Sequence, residues 1–114
     1  NMITAVSCNY DKGTAKFHFK NIASYPVNVY QGEIPTPPSV VKFSVNGRQF
    51  NNQKGELKLN CGKGEFAPGE EADCFGEGII YRGNGVYNQK GENLLLGQGI
   101  GFSDTTSFHC GTSG

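Results

Sequence analysis

The chain has 114 residues, and its ten Lys and Arg residues balance its ten Asp and Glu residues. This length suits one domain, residues 1–114, and no feature indicates a second. A net charge of zero gives no field that would attract nucleic acid or an anionic membrane, so neither is expected as a partner. Seventeen glycines and five prolines interrupt the chain too often for long helices.

Apolar and polar residues alternate with a period of two along most of the chain, and this pattern predicts half-buried β-strands. In the clearest case, Thr14–Lys20, the side chains of Phe17 and Phe19 face one side and those of Lys16 and His18 face the other. The predicted strands are Met2–Asn9, Thr14–Lys20, Tyr25–Tyr30, Val40–Val45, Glu56–Asn60, Ala72–Phe75, Ile79–Tyr81, Leu94–Phe102 and Thr106–Cys110.

Turn-forming residues separate these strands. Asp11–Gly13 links the first two strands, Asn46–Gly47 and Asn84–Gly85 favour tight hairpins, and Ala67–Glu70 contains a Pro-Gly turn. The proline-rich stretch Gly32–Ser39 is expected to be an extended surface connector. About eight strands in one domain predict an all-β fold, either a sandwich or a flattened barrel, of mainly antiparallel strands.

Four cysteines form no C-x-x-C pair, so we expect two disulfides rather than a zinc site. Disulfides indicate an oxidising compartment, and we expect an extracellular or cell-surface location. Four cysteines allow three pairings. We favour Cys61 with Cys74, which flank a turn between neighbouring strands, and Cys8 with Cys110, which would join the first strand to the last. In the alternative, one cysteine bonds a neighbouring molecule.

No cluster of residues predicts catalysis, a metal site or a cofactor. His18 lies on the outward side of its strand. His109 adjoins Cys110, but adjacent side chains of a strand point to opposite sides, so these two do not form a catalytic pair. Glu70, Glu71 and Asp73 form the densest acidic group, but their spacing does not match a calcium-binding loop. We therefore predict that the protein is not an enzyme.

The segment around Gly97, Gly99 and Gly101 predicts a strand with glycines along one side. Such a stripe lets another backbone or an aromatic ring approach closely. That neighbour is either an internal aromatic, with Tyr81 or Tyr87 as candidates, or a second molecule. In another interpretation, the tyrosines form a platform on which a sugar ring stacks.

Three stretches carry a family resemblance. Residues 15–27 (AKFHFKNIASYPV), 41–47 (VKFSVNG) and 66–74 (FAPGEEADC, with Phe66 where Leu is usual) resemble elements of immunoglobulin-like domains in prokaryotic, especially archaeal, surface proteins. The positions of the four cysteines are similar to the layout of some archaeal pilin-type extracellular domains. The resemblance implies a sandwich of seven to eight strands in a surface filament, pilus or adhesin.

The chain departs from pilin-type proteins because it has no long apolar N-terminal helix and no predicted membrane span. If it polymerises, we expect an N-terminal strand, residues 1–8, to add to the next copy and build a head-to-tail homopolymer. The alternative is a monomeric adhesion module that binds a surface glycan or a protein. The predicted contact residues are Met2, Ile3, Thr4, Ala5, Val6, Gly97, Gly99 and Gly101.

Overall fold

The computed structural model describes residues 1–32, 39–78 and 92–111, and every regular element in this part of the chain is a β-strand. Within these residues, ten strands form two sheets that enclose one hydrophobic core. The predicted strand Ile79–Tyr81, the predicted hairpin at Asn84–Gly85 and most of the connector Gly32–Ser39 lie outside the described residues. The strands are β1 (Ile3–Asn9), β2 (Thr14–Lys20), β3 (Val27–Val29), β4 (Val40–Val45), β5 (Arg48–Gln49), β6 (Lys58–Asn60), β7 (Glu65–Phe66), β8 (Glu71–Glu77), β9 (Asn93–Gly99) and β10 (Phe102–Phe108).

The first sheet has the strand order β1-β2-β8-β6, and all its pairs are antiparallel. The alternation in β2 buries Phe17 and Phe19, as the sequence predicts, and leaves Lys16 exposed. In β8 the same alternation buries Cys74, which lies opposite Phe17 in the register. This sheet therefore has one apolar inner surface and one polar outer surface.

The second sheet has the order β10-β9-β4-β3-β7, with β5 paired to the end of β4. Its pairs are antiparallel except for β3 and β4, which run in parallel. The two residues of the Asn46–Gly47 hairpin have φ values of 51° and 85°, which this tight turn requires. The predicted hairpin between β4 and β5 is thus confirmed.

Phenylalanine rings from both sheets meet in the core. The ring centroid of Phe43, on β4, lies 4.9 Å from that of Phe17 and 5.6 Å from that of Phe19. Phe19 also packs edge-on against Phe66, at 5.0 Å. Because Phe17 and Phe19 belong to the first sheet and Phe43 and Phe66 to the second, these contacts hold the two layers of the sandwich together.

Strands β1 and β10 close one side of the sandwich. A disulfide joins Cys8 of β1 to Cys110, which follows β10, and the Gly111 N–H donates to the Cys8 carbonyl at 3.1 Å. At the other end of β1, the Ile3 N–H donates to Oδ2 of Asp104 at 2.9 Å. The sheets are therefore joined along their β1 and β10 edges, as in a flattened barrel.

The second disulfide joins Cys61 to Cys74, so both pairings favoured by the sequence are present. Cys61 directly follows β6 and Cys74 lies on β8, the antiparallel neighbour of β6. Both residues are buried. This bond fixes the edge strand β6 to the sheet at the point where the chain leaves for the second layer.

One predicted strand is a hairpin in the structure. The segment Leu94–Phe102 divides into β9 and β10, which are joined by the two residues Ile100 and Gly101. Gly101 has a φ of 83°, a conformation that glycine adopts without steric cost. The predicted single strand is therefore wrong at this point.

Strand β1 departs from strict alternation. Its register to β2 shifts between Thr4 and Ser7, and Ala5 has a φ of 53°. At this β-bulge, two residues of β1 lie opposite one residue of β2. As a result, the side chains of Val6 and Cys8 lie on the inner side of the sheet. A non-glycine residue at positive φ is uncommon and carries backbone strain, which the surrounding pairing must offset.

Candidate binding faces

The predicted contact segment at the N-terminus is part of the chain's own first sheet. Met2 and Ile3 are buried in the core, with exposures of 1% and 2%, and β1 pairs with β2. Thr4 and Ala5 are exposed, and Val6 is half-buried. Any contact that Met2 and Ile3 make with another copy would first require these side chains to leave the core.

The close approach to the glycine stripe is internal. A Cβ atom on Gly97 would lie 2.6 Å from Cε of Met2 and 2.7 Å from Cε1 of Phe43. A Cβ atom on Gly99 would lie 2.4 Å from the Phe102 ring. Internal side chains therefore cover both glycines, although they differ from the two tyrosines considered, which lie outside the described residues. Gly101 lies at the exposed β9–β10 turn.

A side-chain amide occupies the outer edge of β6. Asn52 Nδ2 donates to the Leu59 carbonyl at 2.9 Å, and Asn52 Oδ1 accepts the Leu59 N–H at 2.6 Å. The amide thus makes the two hydrogen bonds that an added strand would make at this residue. The side-chain amide of Gln31 acts in the same way on the next stretch of backbone. Its Oε1 accepts the Cys61 N–H, and its Nε2 donates to the Lys63 carbonyl.

The outer surface of the first sheet, here called the charged face, carries ion pairs between neighbouring strands. His18 on β2 bonds two carboxylates of β8, with Nδ1 2.9 Å from Asp73 Oδ1 and Nε2 2.7 Å from Glu71 Oε1. Lys16 Nζ lies 3.6 Å from Asp73 Oδ2. The outward side chains of β2, β6 and β8 that form this face are Thr14, Lys16, His18, Lys20, Lys58, Asn60, Glu71, Asp73, Phe75 and Glu77.

These carboxylates favour the protonated form of His18. Hydrogen bonds to Asp73 and then to Glu71 raise the pKa of His18 above its ordinary 6.5, since both ring nitrogens can donate only in the imidazolium form. The hydrogen bond from His18 in turn lowers the pKa of Asp73 below 3.8. The sequence placed His18 on the outward side, but its two partners depend on the register between β2 and β8.

Folding stability should therefore depend on pH through this cluster. The His18 contribution is fully present below pH 6.5 and is lost as the pH rises through its raised pKa. The Asp73 contribution is present above pH 3.8 and is lost as the pH falls through its lowered pKa. Urea midpoints should thus be highest between those values. In a His18→Gln variant, the urea midpoint should no longer decrease as the pH rises above 6.5. An unchanged pH profile in that variant would contradict the assignment of this decrease to His18.

The part of the second sheet's outer surface that β4, β9 and β10 form, here called the neutral face, has a different character. Leu94 is 46% exposed, Leu96 is half-buried beside it on β9, and Ile100 at the adjoining turn is 68% exposed. A shallow depression of about 480 Å³ is lined by Leu96, Ile100 and Lys42 with their neighbours. Hydroxyl and amide groups surround these apolar side chains. The outward residues of β4, β9 and β10 are Val40, Lys42, Ser44, Leu94, Leu96, Gln98, Ser103, Thr105 and Ser107.

The other residues considered from the sequence do not assemble into a site. Glu70 pairs with Lys63, and that hydrogen bond, followed by the bond from the Ala67 N–H, lowers the pKa of Glu70. Among residues 1–32, 39–78 and 92–111, no three His, Cys, Asp or Glu side chains are grouped so as to hold a metal ion. Tyr25 donates from its hydroxyl to the Ile100 carbonyl, whereas Tyr30 lies near Lys42 on the second sheet.

Phe75 is a candidate binding residue that was not predicted from the sequence. This residue is 52% exposed on the charged face, between the buried residues Cys74 and Gly76. Alternation along β8 gives a signal that could have found it, because a disulfide-bonded Cys74 in the core directs the next side chain outward.

Searches of protein-family models, curated proteins and solved structures found no match to this chain. The immunoglobulin-like resemblance therefore remains an expectation that rests on the short motifs quoted above. No helix in the described part of the chain is long and apolar enough to cross a membrane.

Proposed function

We propose that the protein is a structural subunit of an extracellular filament and that the neutral face of each copy is one of the two different surfaces that meet in each contact along the fibre. The observation that carries this proposal is the difference between the two outer surfaces of the sandwich. The charged face carries ion pairs between neighbouring strands, whereas the neutral face presents leucine and isoleucine among mostly uncharged polar groups. The two disulfides support an oxidising, extracellular setting.

The cost of removing water favours the neutral face as the contact. Burying the charged face would desolvate the His18, Asp73 and Glu71 group, and desolvating charges costs several kcal/mol per ion in order-of-magnitude terms. The neutral face carries one charge, Lys42, among its nine outward residues. Burial of Leu94 and Ile100 contributes about 25 cal/mol per Å² of apolar surface. Sandwich-to-sandwich packing is therefore more favourable on this side.

Strand donation by residues 1–8, the other predicted mode, would require an exchange of β1 between copies. Removing Met2 and Ile3 from the core costs roughly 1.5–3 kcal/mol for each side chain, unless the acceptor buries them again. Donation of β1 up to Cys8 would carry the cysteine along, and the bond to Cys110 would then join two chains. Non-reducing electrophoresis of assembled material distinguishes the modes, because face contacts leave every chain disulfide-closed and monomeric.

The central test compares variants at matched exposed positions. We expect the wild-type protein to form fibres in negative-stain electron microscopy as its concentration rises. The variant Leu94→Lys/Ile100→Lys should stay monomeric in light scattering, because each lysine would have to be desolvated in the contact. Phe75→Lys places the same charge on the opposite face and should still form fibres.

Wild-type protein that remains monomeric at every concentration would overturn the proposal and favour the monomeric adhesion module. Association that stops at a two-fold dimer would also contradict a filament, since an open chain of copies requires two different surfaces in contact.

A further inference from the structure

We propose that a groove on the charged face, beside Phe75, binds a saccharide chain. The groove crosses β1, β2 and β8 and encloses about 570 Å³. This inference does not depend on self-assembly, because the groove lies on the sheet opposite the neutral face. The residues that define the Phe75 groove are Ser7, Asn9, Thr14, Lys16, Phe75 and Glu77.

Phe75 supplies a surface on which a sugar ring can stack. It is 52% exposed at the centre of the sheet, since β8 lies between β2 and β6. It is the one apolar side chain among the ten outward residues of β2, β6 and β8. A pyranose ring presents C–H groups on one side, and an aromatic ring buries that apolar side while polar neighbours bind the hydroxyls.

Polar groups around the ring match the hydroxyls of a sugar. The side chains of Ser7, Thr14 and Glu77 make no hydrogen bond or ion pair with any residue in the described segments. Serine and threonine hydroxyls both donate and accept, the Glu77 carboxylate accepts, and the Lys16 ammonium donates. Lys16 Nζ lies 5.6 Å from the centroid of the Phe75 ring, so a donor and the stacking surface adjoin.

A second depression extends the groove across the sheet. It encloses about 310 Å³, shares Phe75 and Glu77 with the first, and is otherwise lined by polar and charged side chains and Leu59 near β6. Phe75 and Glu77 thus form a ridge between two depressions. Neighbouring strands are about 4.8 Å apart, so the combined surface has the extent of a short oligosaccharide rather than a single ring.

The same observations disfavour other ligands. A protein interface buries about 800 Å² per partner around an apolar centre. The apolar surface of one aromatic ring among polar residues is much smaller, which disfavours a protein partner. With His18 protonated, the positive groups of this face exceed its three carboxylates by a single charge, and two of those carboxylates bind His18 directly. The face therefore lacks the large positive excess that favours a phosphate chain.

Titration of the full chain with neutral trisaccharides tests the inference. Chitotriose, cellotriose and mannotriose are added separately, and backbone amide shifts are followed by NMR. For at least one of them we expect saturable shifts at Ser7, Lys16, Phe75 and Glu77, with no change at Leu94. Phe75→Ala should weaken binding about tenfold, as expected for loss of a stacked ring, whereas Phe75→Tyr should retain it.

Leu94→Ala is the matched control, because it truncates an exposed apolar side chain on the other face and should leave the affinity unchanged. The proposal is overturned if none of the three sugars produces shifts in the groove, or if Phe75→Ala binds as well as the wild type. Groove shifts that appear with rising protein concentration in the absence of sugar would identify a second copy as the occupant and would overturn it too. Binding of heparin without binding of a neutral sugar would indicate a contact driven by charge, which equally contradicts it.

Discussion

A variant in which Cys8 and Cys110 are both replaced by alanine should lose about 4 to 5 kcal/mol of its free energy of unfolding. The bond closes a loop between residues 102 positions apart, so its removal restores a large conformational entropy to the unfolded chain. The total free energy of unfolding of a domain of this size is about 5 to 15 kcal/mol, so the variant should be only marginally folded at room temperature. Chemical denaturation followed by circular dichroism measures the loss.

Single variants provide the control for this bond. Cys8→Ala and Cys110→Ala each abolish the same disulfide, so each should cost nearly as much as the double replacement, and the three losses should be far from additive. Additive losses, or a double variant within 1 kcal/mol of the wild type, would show that the bond contributes little. The loop between Cys61 and Cys74 spans 13 positions and predicts a smaller entropic loss of roughly 3 kcal/mol.

Replacing Phe19 with alanine should cost about 3 to 5 kcal/mol. The side chain is fully buried, and its ring touches those of Phe43 and Phe66 across the interface between the sheets. The variant leaves a cavity in the centre of the core, where the surrounding rings, held by both layers, can collapse only in part. The shift in the urea midpoint at an unchanged slope reports the loss.

The exposed Phe75 offers a control with the same chemical change. Phe75→Ala should alter stability by no more than about 0.5 kcal/mol, because the ring leaves no cavity on the surface. Equal losses at positions 19 and 75 would contradict the assignment of inner and outer sides in the first sheet. A double-mutant cycle between Phe19 and Phe66 should show a coupling of about 0.5 to 1.5 kcal/mol.

The alternation of side chains was sufficient to predict the central strands. Strands β2 and β4 begin and end where the sequence predicts, since each has an unbroken period of two and a turn signal at one end. The bulge at Ala5 could not be predicted, because alanine gives no indication of a positive φ. The hairpin at Ile100–Gly101 was missed for a related reason: glycines at alternate positions continued the strand pattern through the turn.

The candidate faces required the register between strands. The sequence indicated that His18 points outward, but its bonds to Glu71 and Asp73 exist because β8 pairs with β2 and not with another strand. Strands β5 and β7 have two residues each, too few to show any period. The cysteine pairs were accessible from the sequence because neighbouring strands and terminal strands are the usual places for such bonds.

The amide of Asn52 has a consequence for the material properties of any fibre. It forms hydrogen bonds with both backbone groups of Leu59 on β6, one edge strand of the first sheet. The other edge strand, the bulged β1, is hydrogen-bonded to Asp104 and pairs with Gly111. Fibres joined through side chains instead of a continuous main-chain ladder lack the cross-β repeat that makes amyloid persist. They should dissolve on dilution and release intact, folded protein.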